Sequence, residues 1–154
     1  MQLDLDGGCA CGSIRYGCHS EPILANKCHC RDCQRASGSA YAPLIWIYEA
    51  DLKLSGAALR FHTVTAASGR ELQRGFCGNC GSWLLVRPSV PGIAFLVASN
   101  LDDPRVFAPS FEMWTSRAQP WDVLDPNLRH FAEQFTPDVL PQSFLEYFAS
   151  VRQR

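Results

Sequence analysis

The sequence predicts a mostly-β fold with short helices and a C-terminal helix. Three features carry that prediction: short apolar runs of strand length, a high content of turn residues, and a single stretch with clear helical periodicity. Residues 41–48, "YAPLIWIY", are rich in aromatic and β-branched side chains and read as a buried strand. Leu59–Thr65 and Glu71–Phe76 read as a hairpin turning through Ala66-Ala67-Ser68-Gly69-Arg70. Ser82–Val86 and Ile93–Ala98 form a second pair around a turn at Pro88–Gly92. Ile14–Tyr16 gives a short strand near the N-terminus and Ser110–Ser116 one more near the end. Cys30–Ser37 suits a short helix, and Asn127–Phe135 is read as another, stopped before Pro137. After Pro141, Phe144, Leu145, Phe148 and Val151 fall on one helical face. Ten prolines and eleven glycines leave little room for longer helices.

With 154 residues, 47% apolar and 19% charged, the chain is expected to form one domain, 1–154, with a real core. A formal net charge of −1 gives no case for nucleic acid or an anionic membrane surface as partner. The start "MQLDLDGGCACG" lacks the pattern of a signal peptide, and the apolar runs are far too short to span a membrane. A cytoplasmic location is the expectation.

The eight cysteines, Cys9, Cys11, Cys18, Cys28, Cys30, Cys33, Cys77 and Cys80, are the main anomaly. The cytosol keeps thiols reduced, and C-x-C or C-x-x-C spacing converges sulfurs on a point, as metal ligands require. Cys77-Gly78-Asn79-Cys80-Gly81 has the form of a zinc knuckle, whose glycines permit a tight turn around the two sulfurs. Cys9-Ala10-Cys11-Gly12 supplies a second pair, and two plus two closes a structural zinc tetrahedron. Cys28-His29-Cys30-Arg31-Asp32-Cys33 then holds three thiols with no fourth. Three thiolates on a dication leave a vertex for water or substrate, the arrangement of a catalytic zinc. His29, or a distant His62 or His130, competes for that vertex, although the middle side chain of an extended C-x-C points away from its neighbours. An iron–sulfur cluster fits less well, because four ligands per cluster are usual. Cys18 stands alone and reads as a small buried hydrophobe.

The segments "GGCACGSIRY", "CHCRDCQRASGSAY", "GFCGNCGSWL" and "SNLDDP", in this order, resemble the glutathione-dependent formaldehyde-activating enzyme (GFA) family, also called the centromere protein V family. The resemblance runs from about Gly7 to Trp121. It implies a small zinc-bound complex β-sheet fold with two zinc ions per chain. Cys9, Cys11, Cys77 and Cys80 would hold the structural ion, and Cys28, Cys30 and Cys33 the catalytic one. It also implies carbon–sulfur lyase chemistry, in which S-hydroxymethylglutathione is formed from, or cleaved to, glutathione and formaldehyde. The partners would then be a small-molecule thiol and an aldehyde. A thiol-binding carrier or a zinc-stabilised interaction module without turnover is the alternative.

Lys27, Arg31 and Arg35 lie beside the second cluster in sequence and are candidates to offset its charge or meet glutathione's carboxylates, or else are solvated surface charges. Trp46, Trp83, Trp114 and Trp121 read as core or interface aromatics more than as a substrate box. The chain departs from the family pattern at Glu112, where many relatives carry histidine, and at Ser99-Asn100, where a glycine is frequent. Asp102-Asp103-Pro104 reads as a structural turn.

Overall fold

The computed structural model describes residues 4–66 and 68–151. The described residues form eleven strands and two α-helices in the order β1 (Gly7–Gly8), β2 (Arg15–Gly17), β3 (Leu24–Cys28), α1 (Arg31–Ser37), β4 (Ala42–Tyr48), β5 (Lys53–Ser55), β6 (Leu59–Thr65), β7 (Glu71–Cys77), β8 (Trp83–Arg87), β9 (Ile93–Val97), β10 (Phe111–Met113), β11 (Arg129–Phe131) and α2 (Gln142–Val151). Eight strands make one sheet, ordered β11-β10-β3-β4-β9-β8-β7-β6, and the remaining three make a small antiparallel sheet, β1-β2-β5. The mostly-β expectation holds. No described helix is long and apolar enough to cross a membrane.

Strand alternation explains why the large sheet has two apolar faces. On β4, Ile45 and Ile47 enter a core with Leu5, Ile14, Tyr16, Leu85 and Leu96, under the small sheet. Leu44 and Trp46 point the other way, into a second core with Val86, Ile93, Phe111, Met113 and Phe144. Trp46 anchors this second core, with ring centroids 4.3 Å from Phe95, 5.5 Å from Phe135 and 6.0 Å from Phe144. Each large side chain buried this way stabilises the fold by about 1.5–3 kcal/mol relative to exposure. The helix α2 docks here through Phe144, which is 4% exposed, and Tyr147 donates to the Pro91 carbonyl at 2.9 Å.

Several boundaries differ from the sequence reading. The N-terminal strand is Arg15–Gly17, and the segment expected as a strand over Ser110–Ser116 is β10 followed by a single 3₁₀ turn, Thr115–Arg117. Asn127–Phe135 is not a helix. Arg129–Phe131 pairs in parallel with β10, so sheet hydrogen bonding outweighs the local helical pattern. Strand β3, unforeseen in the sequence, runs parallel to β10 and antiparallel to β4, and it carries the chain into the three-cysteine segment. The β6–β7 turn closes through the Gly69 N–H to the Ala66 carbonyl at 2.8 Å, while Ala67 of the expected turn lies outside the described residues.

Candidate metal centres

The sulfurs of Cys9, Cys11, Cys77 and Cys80 all lie within 4.8 Å of one another. Two hairpin-like turns bring them together. In the first, Cys9 N–H donates to the Ile14 carbonyl and Gly12 N–H to the Cys9 carbonyl; in the second, Cys77 N–H donates to the Ser82 carbonyl and Gly81 N–H to the Cys77 carbonyl. Gly12 and Gly81 close these turns at φ 76° and 78°, a region that suits glycine. Ser82 links them, its hydroxyl accepting from the Ala10 N–H at 3.1 Å and lying 3.2 Å from Cys80 Sγ. A zinc–sulfur bond of about 2.3 Å gives a tetrahedral edge of about 3.8 Å. Observed separations are 3.5 Å for Cys9–Cys11 and 3.8 Å for Cys11–Cys77, so the four donors fit a metal of zinc's size. The Ser82 hydroxyl and backbone pull the Cys80 thiol down to about 6, whereas burial pushes Cys77 up to about 11.

The second group is Cys28, Cys30 and Cys33, whose sulfurs also lie within 4.8 Å of one another. Cys28 ends β3, and Cys30 is the N-cap of α1, its sulfur accepting the Cys33 N–H at 3.4 Å. An anionic sulfur is favoured at that position by the helix's unsatisfied N–H groups. Hydrogen bonds from Cys28 and Cys33 hold the Cys30 thiol well below its ordinary range; the bond to Cys30 pushes Cys28 up, and bonds to Cys28 and then Cys30 push Cys33 up. One negative charge shared among three close sulfurs is what a cation stabilises by displacing the remaining protons. The triad therefore fits a metal ion as well, compatible with zinc.

No histidine joins either group among the described residues. His29 turns away from the triad into a fully buried position, its Nε2 2.6 Å from Glu112 Oε2. Its Nδ1 lies 3.6 Å from Asp122. His62 is exposed on β6, and His130 Nε2 sits 2.8 Å from the Asp125 carbonyl. Glu112 is also fully buried and additionally accepts from Lys27 Nζ at 3.1 Å and from the Asp125 N–H at 2.9 Å. Burial raises its carboxyl, but these donors outweigh burial and hold it below the usual carboxylate range. Glu112 thus stands behind the cysteine loop, clamping residues 27 and 29 on either side of Cys28. Gln34 adds a second tie, its Nε2 donating to the His29 carbonyl at 2.6 Å and the Arg117 carbonyl at 2.9 Å.

The cations expected near the triad are engaged with other side chains or exposed. Lys27 serves Glu112, Arg31 bonds Gln34 Oε1, and Arg35 is exposed. A cavity of about 170 Å³ opens beside the triad and is lined by Cys28, Cys30 and Cys33. Trp46, Trp83 and Trp114 line it too, so three of the four tryptophans serve both core and cavity, while Trp121 is 70% exposed. Trp114 holds φ 59°, a left-handed conformation rare for a bulky residue and concentrated at functional sites. Arg70 and Arg74 supply cations to the cavity wall. The pairing of Glu112 with His29 and the meeting of three tryptophans at one cavity could not be read from the sequence, because each depends on strands far apart in the chain. Cys18 is fully buried in the first core, as expected for an unligated thiol.

A crystal structure of a Rhodobacter sphaeroides protein superposes on 65% of this chain and 92% of its own, with a TM-score of 0.51 and 24% identity, and so shares the fold. No curated protein matches. The profile of the glutathione-dependent formaldehyde-activating enzyme family matches residues 4–117, which contain both cysteine groups, and the chain belongs to this family.

Proposed function

We propose that the chain is a zinc-dependent carbon–sulfur lyase-type enzyme that joins a thiol, glutathione, to formaldehyde or a related aldehyde and cleaves the same adduct in reverse. The observation that carries this reading is the position of the three-cysteine group in the wall of a cavity, with no fourth protein ligand among the described residues. Cys9, Cys11, Cys77 and Cys80 would hold a structural zinc, and Cys28, Cys30 and Cys33 a catalytic one. When bound there, zinc supplies a Lewis acid that favours thiolate over thiol near neutral pH.

The chain's own residues do the rest. The N-terminus of α1 and the Glu112–Lys27–His29 network fix the three sulfurs in place. Arg70 and Arg74 offer partners for glutathione's carboxylates at the cavity wall. The aromatic surface excludes water, so two reactants held together avoid much of the entropic cost of meeting. Free thiols throughout the chain suit a cytoplasmic setting. Exchange NMR with formaldehyde and glutathione tests the reading: adduct formation is expected above the spontaneous rate and lost in Cys33→Ser. No acceleration at any protein concentration would reject it.

A second reading has its own support. Three thiolate donors already supply much electron density, and a thiol held beside them is stabilised against reaction. Calorimetry separates the two readings, since tight, saturable glutathione binding without rate enhancement identifies a carrier.

A further inference from the structure

Asn26 sits on β3 two residues before Cys28, so both side chains share one face of the strand and both line the cavity. It is fully buried. Its Oδ1 accepts from Trp46 Nε1 at 2.8 Å. An indole N–H can only donate, so this bond fixes which way the amide faces and turns the NH₂ group away from Trp46. That nitrogen has no hydrogen-bond partner among the described residues. Buried donors of this kind are uncommon in folded proteins and point to a missing acceptor. Leu44, Val86, Phe95, Met113 and Phe144 make an apolar part of the lining, and none of its polar members, Glu71 and Gln134 among them, accepts from this nitrogen.

The cavity's size adds a second constraint. At about 170 Å³ it is comparable to an apolar cavity of about 150 Å³ that takes up benzene. Formaldehyde would leave most of the apolar part of this surface uncovered. We infer that the cavity takes the apolar substituent of a larger aldehyde, a ring or branched chain of roughly six carbons, and that Asn26 Nδ2 donates to the carbonyl oxygen. This rests on the thiol–aldehyde reading and names its substrate class. In the addition, the thiol sulfur forms a bond to the carbonyl carbon and the π pair of the C=O moves onto oxygen. The oxygen then takes up the proton that the thiol released, giving RCH(OH)SR′ with nothing oxidised or reduced. Asn26 holds that oxygen as charge develops, where a fixed donor in a dry site is most effective.

The test uses the zinc-loaded protein with two unreactive probes, benzamide, which carries a carbonyl, and toluene, which lacks one. Tryptophan fluorescence reads binding, and the side-chain amide resonances of ¹⁵N-labelled Asn26 read the contact. Benzamide is expected to bind at least about tenfold more tightly than toluene and to shift the Asn26 amide signals. Asn26→Leu should erase that advantage while leaving toluene affinity within about threefold. Because Asn26→Leu strands the Trp46 N–H, Asn26→Leu/Trp46→Phe provides a variant with both polar partners removed, and it should behave the same way. In turnover with glutathione, kcat/KM for benzaldehyde should exceed that for formaldehyde, and Asn26→Leu should lower the benzaldehyde value by about tenfold or more. Equal binding of benzamide and toluene, an advantage that survives in both variants, or unmoved Asn26 resonances would overturn the inference. Because the probes need no thiol, an inactive protein that still prefers benzamide would refute the lyase reading and leave the carbonyl site standing.

Discussion

The two cysteine groups share one ligand chemistry but differ in ligand count and in the length of chain they span. The tetrad gathers two pairs from turns more than sixty residues apart, and it ties the small β1-β2-β5 sheet to the end of β7. The triad comes from six consecutive residues on one strand end and one helix start, and it faces a cavity. Closing a long loop through a metal stabilises the folded chain, whereas three neighbouring ligands close almost no loop. A four-sulfur shell leaves no vertex for a substrate, and a three-sulfur shell does. On the proposed reading, ligand count and sequence separation give the tetrad to folding and the triad to chemistry.

The sharpest way to break this comparison is to remove one ligand from each group. A structural zinc contributes about 10–16 kcal/mol of apparent binding free energy, comparable to a domain's whole stability of about 5–15 kcal/mol. Cys80→Ser is therefore expected to abolish cooperative thermal unfolding, measured by circular dichroism. The next largest effect falls on the support behind the triad. Glu112→Ala leaves Lys27 and His29 without their shared buried carboxylate, for an expected loss of about 3–5 kcal/mol in denaturant unfolding. Cys33→Ser should lower the melting temperature by only a few degrees while halving the metal content. Equal loss of fold in Cys80→Ser and Cys33→Ser would dissolve the division.

Smaller effects sharpen the picture. The Glu112 carboxyl is depressed in the folded chain, so its contribution is present above the unfolded value of about 4.3 and lost as pH falls through the folded one. Melting temperatures of the native protein and Glu112→Gln should thus differ at pH 6 and converge below pH 4. A difference that grows toward acid would contradict the network. Gly81→Ala has open space for its Cβ, so its cost is conformational only, about 1–2 kcal/mol, and should appear in the tetrad's metal retention but not in thiol binding.

Much of this was legible in the sequence because the signals were local. The runs Ala42–Tyr48, Leu59–Thr65 and Ile93–Val97 announce themselves by composition, and both cysteine groups by spacing. What was illegible depends on partners distant in the chain. Leu24–Cys28 carries Asn26 and Lys27 and gives no strand signal of its own, yet it lies between β4 and β10, where both polar side chains find partners. Arg129–Phe131 looks helical until β10 offers it parallel hydrogen bonds. Glu112 looks like a lost histidine, and the fold shows it instead as the buried clamp on the cysteine loop.

The central claim is tested most directly by staged chelation of the purified protein, following bound metal, free thiols and circular dichroism together. The account predicts two ions, the first leaving under mild chelator with three thiols released and the fold intact, the second leaving only as the fold collapses with four more. A single ion, or two ions lost together with the fold, would contradict it.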